Sequence, residues 1–130
     1  MANISATTSA ANALPAELLP IIQGKTQNGH GETLARAHMA TTLLYDTEGA
    51  EVKGCFANAL RKHMTNPELY SVWHGWGKLC MGEVTLWLDH ACVRNEDTKE
   101  FIEVTTADFT AFYGARVLDP IHQQRYIFYS

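Results

Sequence analysis

Excess charge of one sign, long apolar runs and pairable cysteines are all missing from this chain of 130 residues. Charged residues make up only 18% of it, and ten Lys and Arg are outnumbered by fourteen Asp and Glu, giving a net charge of −4. The isoelectric point is near 5.8. Without a basic surplus there is little to displace counterions from a phosphate backbone, so a nucleic-acid partner is not expected. The mean hydropathy is −0.16, and polar residues interrupt every apolar stretch. A bilayer-spanning helix, and with it a membrane partner, is not expected either. The three cysteines are Cys55, Cys80 and Cys92. An odd count cannot form a complete disulfide framework within one chain. Unpaired thiols point to a reducing compartment, hence to a cytoplasmic location. The small, Ser/Thr/Ala-rich opening has no basic region followed by an apolar one, so no signal peptide is read there.

What is present fits one folded domain. An apolar share of 46% with 10% aromatic residues is the composition of a globular chain. Residues 1–12 read as a flexible N-terminus and residues 13–130 as a single α+β domain. A short helix is expected from Leu14 to Leu19, with Pro15 in its first turn. A second is expected from Glu32 to Tyr45, on the helical spacing of Leu34, His38 and Tyr45. A third is expected from about Val52 or Gly54 to Met64, stopped by Thr65-Asn66-Pro67.

The second half changes to a period of two. Tyr70–His74, Val84–Val93, Glu100–Val104 and Arg125–Tyr129 are β-branched or aromatic and read as strands. The expected fold is α+β, with N-terminal helices packed on a mostly antiparallel sheet.

One constellation carries chemistry. Cys55 falls at the start of the third helix, where unpaired backbone N–H groups and the positive end of the dipole favour a thiolate and can bind a developing oxyanion. His90 lies in one strand and Glu103 in the next, with a turn at Asn95-Glu96-Asp97 between them. A hairpin centred near that turn sets His90 across from Glu103. The carboxylate could then hold one ring nitrogen while the other faces Cys55. Asp108 is the weaker alternative for the acid. Asp89 is expected on the opposite sheet face from His90.

These residues resemble a known family. Gly54-Cys55-Phe56-Ala57-Asn58-Ala59, Tyr70–Gly75, His90-Ala91, Phe101-Ile102-Glu103-Val104-Thr105 and Tyr113-Gly114 are similar, in order and spacing, to transglutaminase-like, papain-fold cysteine enzymes. The likeness is greatest to small phage and bacterial proteins with a Cys-x-x-Asn-Ala helix start. It covers about half the chain. It implies a papain-like or transglutaminase-like core and a catalytic Cys55, His90 and Glu103. It also implies acyl transfer through a thioester on a protein or peptide amide or ester, with no metal and no organic cofactor. Two positions depart from the family pattern: Glu103 replaces an Asp, and Cys92 replaces a Trp. No glutamine stands at an obvious oxyanion position upstream of Cys55; Gln23 and Gln27 would have to be folded back.

Other residues admit other roles. Asn58 could orient backbone or substrate, or simply pack. Trp73 could border a substrate cleft, as could Trp76 in a Gly75-Trp76-Gly77 loop. His74, Cys80, His90 and Cys92 form a zinc-compatible set, the basis of a zinc-stabilised structural alternative. A non-catalytic binding or inhibitor module, using an exposed aromatic surface around Trp73 and Trp76, is the other alternative.

Overall fold

A computed structural model describes residues 37–50, 54–105 and 108–121. Along the chain these form β1 (His38–Ala40), β2 (Leu43–Tyr45), α1 (Cys55–Thr65), β3 (Tyr70–Met81), β4 (Val84–Asn95), β5 (Phe101–Glu103) and β6 (Phe109–Arg116). The strands make one six-stranded sheet in the order β1-β6-β3-β4-β5-β2. Every neighbouring pair is antiparallel except β2 and β5, which run parallel.

This architecture corrects the expected fold. The described residues are 51% strand, with one short helix and a curled, half-barrel sheet. They are not N-terminal helices laid on a sheet around a papain-like or transglutaminase-like core. The helix expected over Glu32–Tyr45 is the clearest miss, because His38–Ala40 and Leu43–Tyr45 are strands. Short apolar segments read equally well in either period, and tertiary partners decide. Here β6 and β5 supply main-chain partners to β1 and β2. Residues 14–19 and 125–129, expected as a helix and a strand, lie outside the described residues. None of the described helices is long and apolar enough to cross a membrane.

The sheet is organised by the β3–β4 hairpin, which pairs over twelve residues from Tyr70↔Asn95 to Met81↔Val84. Its two-residue turn, Gly82-Glu83, begins with Gly82 at φ 62°, a conformation that glycine adopts without steric cost and that matches the strand twist. Gly75 faces Gly114 across the β3–β6 pair. A Cβ on Gly75 would sit 2.2 Å from the Tyr113 carbonyl oxygen. The close crossing of these strands therefore requires glycine.

Side chains alternate across this sheet. On one face Phe56 and Ala59 of α1 pack on Val72, Ala91, Val93, Ile102 and Val104. On the other, Trp73, Cys92, Phe101 and Phe112 enclose Ala40. A third cluster joins Trp76, Trp87, Ala111 and Tyr113. The Arg94 guanidinium lies 4.5 Å above the Trp73 ring and binds Glu96 through two 2.9 Å contacts.

Candidate functional site

The helix expected near position 54 begins at Cys55, with Gly54 as its N-cap and no side-chain cap. Glycine leaves the first turn uncovered, and an α-helix provides no internal acceptor for its first N–H groups. The Cys55 backbone N–H is therefore free of helical pairing, and its thiol is partly exposed. Phe56 and Ala59 bury the helix against the sheet one and four residues on. That packing leaves Cys55 at the helix mouth and half-buried.

His90 lies on β4, on the face opposite Ala91. It is 2% exposed. Its Nε2 lies 2.7 Å and 2.8 Å from the two carboxylate oxygens of Glu103. Glu103 is fully buried, and its Oε2 also accepts the Thr105 backbone N–H at 3.1 Å. The β4–β5 register is Val93↔Ile102 and Arg94↔Phe101, two residues away from the pairing that sets His90 directly opposite Glu103. A shift of two preserves the sheet face. The contact survives as a diagonal one, within reach of two long side chains.

Since Nε2 is committed to the carboxylate, Nδ1 is the free ring nitrogen. Cys55 is near enough to this imidazole to raise its pKa. Below Val93, β4 has a strand neighbour on the β3 side only among the described pairings. Burial by itself would lower the His90 pKa. Hydrogen bonds to Cys55 and Glu103, with their charges, outweigh it and push the imidazole up to about 9. At neutral pH the ring is therefore charged and donates from Nε2 to the carboxylate.

The ring is also clamped from one face. Phe109 stacks on His90 with centroids 4.0 Å apart and planes 28° apart. This stack needs a bare backbone at Gly77: a Cβ there would lie 2.6 Å from Phe109 Cδ1 and 3.1 Å from His90 Cδ2. The Tyr45 hydroxyl donates to the Phe109 carbonyl and so ties β2 to β6 at this point. Sequence reasoning missed Phe109 and the tie made by Tyr45, and it singled out Thr105 and Gly77 without the contacts they make here. Only the two glycines flanking Trp76 hinted at a close approach.

The remaining expectations fare differently. Trp76 belongs to β3 rather than to a loop, and Trp73 and Trp76 are both buried. Among the described residues the exposed aromatic surface assumed around Trp73 and Trp76 for a non-catalytic binding module is therefore absent. The reason is that β3 runs on through both glycines to Met81, so each tryptophan faces a packed layer. Asn58 is buried and bonds to Thr105 and Arg61. Asp89 does face away from His90, and pairs with His74 at 2.7 Å. Asp108 is exposed.

The zinc set is not gathered, because His74 and His90 point to opposite faces and Cys80 is exposed far along the hairpin. Among the described residues no group of three or more His, Cys, Asp or Glu is placed to hold a metal ion. Cys92 is fully buried, and burial pushes its thiol well above the ordinary value, reinforced by the charges of Glu103 and Cys55. Cys92 is thus a packing residue, and Cys55 is the thiol whose influence reaches His90. A shallow cleft of about 190 Å³ is lined by Asp46, Glu48, Asn58, Arg61, Lys62 and Val104 among others, and not by His90 or Glu103. Its Asp46 and Lys62 pair at 2.7 Å.

Neither a family model, nor a curated protein, nor a solved structure matches this chain.

Proposed function

We propose that the protein is a cysteine-dependent acyl-transfer enzyme, with Cys55 as nucleophile, His90 as general acid and base, and Glu103 as the group that orients and charges His90. The observation that carries this is a partly exposed thiol beside a buried imidazole whose far nitrogen is held by a carboxylate at 2.7 Å and 2.8 Å. The order of these residues in the chain, and its resemblance to transglutaminase-like cysteine enzymes, points the same way.

The chemistry follows from the placement. His90 already holds its proton at neutral pH, and the reactive form is a Cys55 thiolate paired with that imidazolium. The sulfur attacks the carbonyl carbon of an amide or ester, and a C–S bond forms as the carbonyl oxygen becomes an oxyanion. The Cys55 N–H, which has no acceptor within its own helix at the head of α1, would receive that charge. The C–N or C–O bond then breaks as His90 Nδ1–H protonates the leaving amine or alcohol, giving a thioester. Water or an amine, deprotonated by His90, attacks the thioester and releases Cys55 with its proton. The substrate proposed is a protein or peptide amide or ester, and none of these steps requires a metal or an organic cofactor.

A small activated ester tests the chemistry without knowledge of the natural substrate. With p-nitrophenyl acetate, wild-type protein is expected to release a burst of p-nitrophenol and to carry one acetyl group, mapped to Cys55 by mass spectrometry. Cys55→Ala and His90→Gln should lose the burst, whereas Cys92→Ala should keep it. Acetylation at another residue, or an equal burst from Cys55→Ala, would remove Cys55 as nucleophile.

A further inference from the structure

A second set of buried polar contacts returns from the acid to the nucleophile's own helix. Asn58 lies one turn after Cys55 on α1 and is 3% exposed. Its Nδ2 donates to Thr105 Oγ1 at 3.1 Å. The amide orientation is fixed chemically. Arg61 Nη1 lies 3.2 Å from Asn58 Oδ1, and a guanidinium can only donate, so the amide oxygen faces Arg61 and the NH2 faces Thr105. Arg61 is itself held by the Gly49 carbonyl at 3.0 Å.

Thr105 in turn donates its backbone N–H to Glu103 Oε2 at 3.1 Å. Glu103 holds His90, and Cys55 is near enough to His90 to raise its pKa. The contacts therefore close a ring: Asn58, Thr105, Glu103, His90, Cys55, and back along one helical turn to Asn58. Residues three apart lie on one side of a helix, so Asn58 and Cys55 address the same wall.

We propose that Asn58 is a positioning residue that, through the Thr105 side chain, fixes the head of α1 against the His90–Glu103 pair and so sets the separation of Cys55 from His90. The inference rests on the reading of Cys55 as the nucleophile. Apolar packing of Phe56 and Ala59 holds α1 on the sheet but does not by itself fix sliding along it. The Asn58–Thr105 bond is directional, and it joins the helix to the same residue that holds the acid. Misplacement of reacting groups by about 1 Å is enough to cost a site roughly a hundredfold in rate.

The test compares Asn58→Ala, Thr105→Val, Thr105→Ser and the double variant N58A/T105V. Thr105→Val keeps the backbone N–H to Glu103 and nearly the same shape, and removes only the hydroxyl. Two quantities are read that a merely structural role would not move. One is the rate of iodoacetamide alkylation at Cys55, resolved from Cys80 and Cys92 by peptide mass spectrometry. The other is the titration of the His90 ring followed by NMR.

Asn58→Ala and Thr105→Val are each expected to slow Cys55 alkylation by tenfold or more, about the scale of such misplacement, and to move the His90 titration. Thr105→Ser should behave as wild type. Because both single variants remove the same bond, the double variant should lose no more than either alone. If Thr105→Val labels and titrates as wild type does, the inference is overturned, whatever Asn58→Ala does to the melting temperature. If wild-type Cys55 labels no faster than it does in His90→Gln, the nucleophile assignment itself falls, and the inference with it. The wild-type arm thus separates the two failures.

Discussion

Replacing Glu103 with glutamine should change how stability responds to pH, and the size of the change can be worked from the site. His90 carries its proton up to about 9 in the folded protein, against 6.5 for the free side chain. Burial opposes this, while the hydrogen bonds and charges of Cys55 and Glu103 produce it. A folded-state pKa above the unfolded one stabilises the fold in full below 6.5, and that stabilisation is lost as pH rises through about 9. At about 1.4 kcal/mol per pKa unit, the contribution is on the order of 3 kcal/mol.

A glutamine at 103 carries no charge and has one acceptor oxygen where the carboxylate uses two. Facing His90, that oxygen leaves an NH2 against the Thr105 N–H; facing Thr105, it leaves an NH2 against Nε2. Either choice forfeits a buried charge-assisted hydrogen bond, a pH-independent loss of about 1.5–3 kcal/mol. Burial, no longer opposed by the carboxylate, brings the His90 pKa down. Urea denaturation of wild type and Glu103→Gln at half-unit steps from pH 6 to 10 is the assay. The stability gap is expected to be widest near pH 6 and to shrink across the window from 6.5 to about 9, leaving the pH-independent part. Differencing the two proteins removes the other groups that titrate there. A gap that stays constant or widens with pH would refute a charged His90 held by Glu103.

Other outcomes follow from the packing and the turns. Gly77→Ala places a methyl 2.6 Å from Phe109 Cδ1. It should cost about 1–3 kcal/mol by overpacking and displace the ring stacked on His90, seen as a lower melting temperature with slower Cys55 alkylation. Normal values for both would show that Phe109 moves aside freely. Phe101→Ala empties a fully buried site between Trp73 and Phe112 and should cost about 3–5 kcal/mol, read from a chemical denaturation midpoint. Glu96 feels a raising effect from burial, but hydrogen bonds from Arg94, Ser71 and Lys99 overcome it and bring its carboxyl from 4.5 down to about 2. Its contribution is present above pH 4.5 and lost as pH falls towards 2. Glu96→Gln should therefore be less stable than wild type at pH 6 and approach it near pH 2; an undiminished gap in acid would contradict the assignment.

Different physical signals decided how much was legible in advance. The α1 helix could be read because its apolar residues follow the helical period and Asn66-Pro67 stops it; the predicted start and the observed Cys55 agree within a few residues. The strands around His90 and Glu103 were readable from aromatic and β-branched alternation. The glycine at the Gly82-Glu83 turn is a local hairpin signal, and it sets the length of β3 and β4. Phe109–Arg116 was not read as a strand, since Gly114 and the alanines dilute its pattern.

The amino-acid order by itself determined which residues can do chemistry, namely a cysteine opening a helix and a histidine and glutamate on successive strands, because period and residue type are local properties. Parity survived a two-residue error in register for the same reason: side chains repeat every two residues along a strand. Tertiary structure alone decided the rest. It made strands of His38–Ala40 and Leu43–Tyr45, buried Trp73 and Trp76, and drew Phe109, Thr105 and Asn58 around the His90–Glu103 pair. Each of those outcomes depends on a partner distant in the chain, and no local pattern encodes which partner a short apolar segment or a buried polar group will meet.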